Sequence, residues 1–144
     1  MNGFFTKIEI NAPISEVWHV LADFQSYPHW NPLIYKVEGH LRTGSKIRLF
    51  VNMPYGIKSS FQVTLVKVEP VKELRWLGRL VETEFLMSGD HFFILEAINQ
   101  ETTQFIHGEN LQGLISPVFM YLLGNPMHQS YVEFNKAIKQ RCER

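Results

Sequence analysis

The stretch GLISPVFMYLLGNPMHQSYVEFNKAI, Gly113 to Ile138, decides how the rest of the chain is read. Met120, Leu123, Met127, Tyr131, Phe134 and Ile138 recur at three- and four-residue spacing, which makes one apolar stripe on a helix. Pro117 suits a first helical turn and Ser116 can cap it. About 24 residues at about 1.5 Å each give a helix roughly 35 Å long. A single apolar stripe needs an apolar surface to lie on, and the preceding chain must supply it. Pro126, after Gly124 and Asn125, has no backbone donor, and a bend or interruption is expected within about two residues of it. Such a joint would let the Met120 half move against the Tyr131 half and admit a ligand.

From Leu33 to Gly113 the period changes to two, broken by turn chemistry at RTGS, MPYG, EPVKE, MSGD and INQETT. Six strands result. Their apolar sets are Leu33, Tyr35, Val37; Ile47, Leu49, Val51; Phe61, Val63, Leu65; Leu74, Trp76, Leu80; His91, Phe93, Leu95; and Phe105, His107, Glu109, Leu111. Upstream, FTKIEI alternates as one more strand, and PISEVWHVLADF places Ile14, Val17, Trp18 and Leu21 on one helical face. Pro28 and Pro32 restrict the next segment to a short helical turn, which Trp30 is expected to pack against the sheet. Short connections make consecutive strands antiparallel neighbours. Twist accumulates across such a sheet, and only the long helix can cover its apolar face. The expected architecture is α+β: a seven-stranded antiparallel sheet curled around the C-terminal helix, with one or two short helices between strands 1 and 2. The helix covers part of the concave face, and the remainder is expected to be a pocket.

Composition narrows the function. The 144 residues fit one domain, 1–144, and 14 basic residues balance 14 acidic ones with no basic cluster beyond KQRCER, which argues against a nucleic-acid partner. A single cysteine, Cys142 in the polar tail, excludes an internal disulfide and a multi-cysteine metal site and fits the cytoplasm. No apolar run approaches the ~18 residues of a membrane span, so no integral membrane segment is expected. The chain reads as a monomer or weak homodimer. Eleven Phe, five Tyr and three Trp exceed what a small domain needs to fold, and hint at a cavity wall. No phosphate-binding glycine loop, G-x-S-x-G, H-E-x-x-H or dinucleotide fingerprint is present, and no cofactor is expected.

In QFIHGENLQG, Gln104 to Gly113, strand periodicity puts His107 and Glu109 on one face between Phe105 and Leu111, with Cα atoms about 7 Å apart. Three roles fit such a pair: a fold-stabilising contact with a neighbouring strand or Tyr131, orientation of a polar group on an apolar ligand, or acid–base catalysis on an enolisable ketone. His91, on the preceding strand, is placed to approach either. Two histidines and a carboxylate would also suit zinc, but no H-x-x-x-H spacing supports a metal, and none is expected. Gly78 beside Trp76 leaves room for a pocket or marks a bulge. The expected ligand-binding set is Val51, Phe61, Trp76, His91, Phe93 and Phe105, joined by His107 and Glu109 and, from the helix, Met120, Met127 and Tyr131. The catalytic candidates are His107, Glu109 and Tyr131. In NMPYGIK, apolar Met53, Tyr55 and Ile57 at a turn read as a lid, an oligomer contact or internal packing.

The stretches IEINAPISEVWHVLADFQSYPHWNP, LRWLGRL, GDHFFILEAI and IHGENLQGLISP together resemble the START-like, or SRPBCC, superfamily, in particular its bacterial polyketide cyclase/dehydrase-like branch. The resemblance covers nearly the whole chain. It implies a helix-grip fold and a deep cavity between sheet and C-terminal helix for a hydrophobic or aromatic small molecule. GNP at Gly124 departs from the uninterrupted, charge-rich helix of many relatives. Three hypotheses remain open: a carrier or sensor of a small hydrophobic molecule, a polyketide cyclase/dehydratase-type enzyme acting on an aromatic or polyketone substrate, and an interaction module with a filled core.

Overall fold

The computed structural model describes residues 2–80 and 83–144. Strand β1 (Asn2–Ile10) leads to helix α1 (Ile14–Ala22) and a short 3-10 helix (Phe24–His29). Strands β2 (Ile34–Glu38), β3 (Lys46–Asn52), β4 (Lys58–Glu69), β5 (Glu73–Leu80), β6 (Thr83–Asn99) and β7 (Thr102–Gln112) come next, and helix α2 (Ser116–Cys142) closes the chain. The sheet runs β1-β7-β6-β5-β4-β3-β2 with every pair antiparallel. It is the curled seven-stranded sheet around a C-terminal helix that the periodicities predict.

Helix α2 starts where β7 ends and lies along β1 and β7, touching the β3–β4 turn near its start. At its far end the Lys139 ammonium donates to the Glu9 carbonyl at 2.9 Å, and the Asn11 N–H donates to the Glu143 carboxylate at 2.7 Å. The helix stripe is as expected, with Met127, Tyr131, Phe134 and Ile138 buried. The expected interruption at Pro126 is absent: α2 runs unbroken from Ser116 to Cys142. A proline deletes one intrahelical bond, and here the flanking turns, packed through Met127 and Tyr131, hold the helical path across the gap. Ser116 does not cap the helix; its hydroxyl donates to the Gly113 carbonyl at 2.9 Å. Gly113 itself is required, since φ is +111° and a Cβ would lie 2.5 Å from the Leu86 carbonyl oxygen.

Two strand assignments change. MSGD, expected as a turn, is mid-strand: β6 continues through it, with Ser88 opposite Gln112 and Gly89 opposite Leu111. The β5–β6 connection instead comes after Leu80, which pairs with Thr83. In β2 a bulge at Tyr35 lets Ile34 oppose Val51 and Val37 oppose Leu49, so Ile34 is buried on the inner face. Tyr35 is turned to the outer face, its ring 6.2 Å from that of Phe50 and under the Lys58 ammonium. Trp30 packs edge-on between Tyr27 and Phe134 at 5.2 and 5.5 Å, tying the 3-10 helix to α2, while that short helix also lies against β2 of the sheet.

Candidate functional site

The concave face is best traced as rows of side chains crossing the strands. The deepest rows are filled by side chains. Phe93 stacks on His107 at 4.5 Å, His107 stacks on Tyr131 at 4.5 Å with planes 8° apart, and Phe134 of α2 packs on both Phe93 and Phe105. Phe93, Phe105 and His107 are fully buried in these contacts, so the deep cavity expected between sheet and helix is occupied at this level by rings. They form the back wall of whatever lies above.

The next row runs Phe4, Glu109, His91, Trp76, Leu65 across β1, β7, β6, β5 and β4. Above it stands Leu111, Gly89, Gly78, Val63, Ile47, and here the two central positions carry no side chain because Gly78 and Gly89 are direct cross-strand partners. The result is a notch over Gly78, the space over Gly89 being taken by the Glu109 carboxylate. Toward the mouth, inner-face side chains become exposed: Phe61 is 42% and Leu80 39% accessible, whereas Val63 and Trp76 deeper in the same strands are buried. Val51 is buried beside this region, and from α2 come Met127, buried, and Met120, partly buried. The β3–β4 turn divides: Met53 packs on the core, while Tyr55 and Ile57 are exposed.

The polar groups at the floor form one connected chain. Thr6 donates its hydroxyl to the His107 carbonyl at 2.6 Å, and the Asn135 amide donates to Thr6 Oγ1 at 2.8 Å. Asn135 Oδ1 is 3.0 Å from His107 Nδ1, and His107 Nε2 is 2.7 Å from His91 Nε2. His91 Nδ1 is 4.0 Å from Glu109 Oε2, and Tyr131 donates its hydroxyl to Glu109 Oε1 at 2.5 Å. His107 and Glu109 thus share a face as expected, but His91 stands between them. The Glu109 carboxylate occupies the space over Gly89, where an added Cβ would collide with Oε2. That is why MSGD carries a glycine without turning.

Burial sets the electrostatics. It pushes His107 down to about 3 against the opposing hydrogen bond with Asn135, and it lowers His91 well below its ordinary value, the neighbouring His107 adding to the effect. Both rings are neutral. Burial raises Glu109 to about 7, the Tyr131 hydrogen bond opposing and the Asp90 charge adding. Tyr131 is raised by burial and by the charge of Glu109. The 2.7 Å between the two imidazole nitrogens is a hydrogen-bond distance; a tetrahedral ion bound by both, at about 2.0 Å from each, would hold them farther apart. Among the described residues no group of three or more His, Cys, Asp or Glu is placed to hold a metal ion.

His19, His29, His40 and His128 are exposed and remote from this chain. A separate concavity of about 320 Å³ lies on the outer face, lined by Arg75, Leu77, Ser88, Asp90, Asn110 and Gln112 among others. The residues that sequence reasoning missed are Gly89, Thr6 and Asn135. Asn135 had a signal, a polar residue beside Phe134 and four positions after Tyr131 on the buried stripe; Thr6 had none, since a threonine in an alternating strand is ordinary.

A curled antiparallel sheet gripping a C-terminal helix, with a notched apolar concave face, is the architecture of a START-like protein. The chain belongs to the family described as polyketide cyclase/dehydrase and lipid transport, whose model matches residues 3–143. It is similar in structure to a START superfamily protein from Mycobacterium smegmatis, with TM-score 0.75, 17% identity, and 99% of this chain and 98% of that one covered. It is similar also to the ZhuI aromatase/cyclase from Streptomyces sp. R1128, with TM-score 0.77, 17% identity and coverages of 99% and 93%. A conserved protein from Geobacillus kaustophilus gives TM-score 0.71, 19% identity and coverages of 99% and 95%. At these identities the likeness is one of fold. No protein of curated function matches the sequence. No helix among the described residues is long and apolar enough to cross a membrane.

Proposed function

We propose that the protein binds a small hydrophobic or aromatic molecule in the notch of its concave face, as a carrier or sensor. The observation that carries this reading is the Gly78–Gly89 pair: two adjacent strands lack side chains at the same level of an otherwise apolar row, directly above Trp76, His91 and Glu109. Over Gly89 the Glu109 carboxylate takes the place of the missing side chain, while a Cβ at Gly78 would meet only the Val63 methyl at 3.1 Å, so the notch lies over Gly78 with a carboxylate at its edge. The accessible Phe61 and Leu80 supply an apolar entrance, and Glu109, 19% exposed at its side chain, is the polar group a ligand meets first.

The test is saturable binding of an environment-sensitive apolar dye by the wild type and by two variants. Gly78→Leu fills the notch, its Cβ meeting only the Val63 methyl at 3.1 Å, and Phe61→Ser removes apolar surface already accessible. Each is expected to weaken dye binding at least about ten-fold, roughly 1.4 kcal/mol, with the far-ultraviolet spectrum unchanged. Binding that does not saturate, or that ignores both substitutions, overturns the reading.

A second reading, polyketide cyclase/dehydratase-type catalysis on an aromatic or polyketone substrate, is favoured by Glu109, whose proton affinity near neutrality suits a general acid or base. It requires Glu109→Gln to keep ligand binding and lose turnover.

A further inference from the structure

The directions of the hydrogen bonds from Thr6 through Asn135 and His107 to His91 are dictated by one backbone carbonyl. The His107 carbonyl oxygen can only accept, so the single hydroxyl proton of Thr6 is committed to it, and Thr6 Oγ1 must accept from the Asn135 NH₂. Asn135 therefore presents its oxygen to His107, which makes Nδ1 the protonated nitrogen of that ring and leaves Nε2 with a lone pair. His91 Nε2 consequently carries the proton shared across the 2.7 Å contact, and His91 Nδ1 is a bare acceptor. It faces Glu109 Oε2 at 4.0 Å, too far for a direct hydrogen bond and near enough for one oxygen atom to reach both. Glu109 Oε1 is already taken by the Tyr131 hydroxyl. Both side chains keep slight exposure, 8% and 19%, and the Glu109 carboxylate lies over Gly89, at the edge of the notch over Gly78.

Resting on the proposed binding function, we infer that the polar end of the ligand is a neutral hydroxyl, a phenol or an alcohol, seated between His91 Nδ1 and Glu109 Oε2. A hydroxyl donates to His91 Nδ1 while its oxygen accepts from the protonated carboxyl of Glu109. A carboxylate ligand meets a lone pair at His91 and an acid at Glu109, and a methyl ether has no proton to give. Each leaves the buried acceptor unpaired, which is the situation in which polar sites discriminate strongly. The site therefore selects hydroxyl compounds over acids of the same skeleton.

The experiment compares 2-naphthol, 2-methoxynaphthalene and 2-naphthoate on the intact protein at pH 6, where Glu109 is mostly protonated, by fluorescence titration. The expected order is 2-naphthol tighter than either of the others by at least about ten-fold. His91→Phe, which keeps a ring in the stack and removes the acceptor, is expected to erase that preference while 2-methoxynaphthalene still binds. Because this variant also unpairs His107, ¹⁵N-resolved imidazole spectra of the wild type provide an independent readout: His107 is expected as the Nδ1–H tautomer and His91 as the Nε2–H tautomer. Equal affinity for naphthol and its methyl ether, or the opposite tautomers, overturns the headgroup assignment and leaves the notch intact. Failure of all three probes to bind overturns the notch reading itself.

Discussion

His91 and His107 are the residues whose behaviour is set most completely by their surroundings. Both are buried and neutral, their folded pKa values depressed below the ordinary 6.5, that of His107 to about 3. An unfolded chain takes up protons at these sites below pH 6.5 while the native state resists. Their contribution is therefore fully present above pH 6.5 and is lost as the pH falls toward about 3, at up to about 1.4 kcal/mol per pH unit for each ring. Glu109 works in the opposite sense. Its folded pKa is raised from 4.5 to about 7, so its contribution is present below 4.5 and is lost as the pH rises to 7. Glu109→Gln retains an acceptor for Tyr131 and carries no charge. Its stability relative to the wild type is expected to improve between pH 4.5 and 7, by up to about 3 kcal/mol, in denaturant unfolding at a series of pH values. A pH-independent difference between the two proteins would show that Glu109 is not the desolvated group described.

At the scale of elements, the β4–β5 turn contains the clearest backbone strain. Val71 has φ +65°, a left-handed conformation that a β-branched side chain tolerates poorly, and its side chain is exposed, so little packing compensates. The Lys72 N–H to Glu69 carbonyl bond at 3.0 Å closes the turn and holds it in that conformation. Val71→Asn, a residue at ease with positive φ, is expected to raise unfolding stability by about 1 kcal/mol, read as a higher denaturant midpoint at constant slope. A lower midpoint would mean that the Val71 side chain contributes more than its conformation costs. Helix α2 shows the complementary case. Gly124–Asn125–Pro126 has every local reason to break, yet the stripe on either side is anchored to β1 and β7, and tertiary packing exceeds the loss of one hydrogen bond.

For the whole molecule, the ring-filled part of the concave face and the part around Gly78 have different work. The stacked rings around His107 hold sheet to helix, and the notch above them faces the end where the β3–β4 turn and the start of α2 meet. A ligand that occupies the notch binds only the folded protein. 2-Naphthol at about one hundred times its Kd is expected to stabilise the fold by about 2.7 kcal/mol, measured as a raised melting temperature, and Gly78→Leu, at the same concentration, is expected to cut the shift to about half or less. An unchanged melting temperature at saturation would mean that naphthol binds the folded and denatured chains equally and has no site built by the fold.

Periodicity alone determined the order of elements, the seven strands, the buried stripe of α2 and the shared face of His107 and Glu109, because a two-residue or a 3.6-residue repeat is a local property that survives any arrangement in space. Tertiary structure decided the rest. Gly89 reads as a turn in MSGD until β7 places the Glu109 carboxylate over it, and Pro126 reads as a break until the sheet holds both halves of the helix. The link between His107 and Glu109 passes through His91, sixteen residues away on the next strand, and Thr6 and Asn135, which set the direction of every proton in that link, lie 129 positions apart. Register and burial bring such residues together, and both are properties of the closed sheet that no single stretch of chain contains.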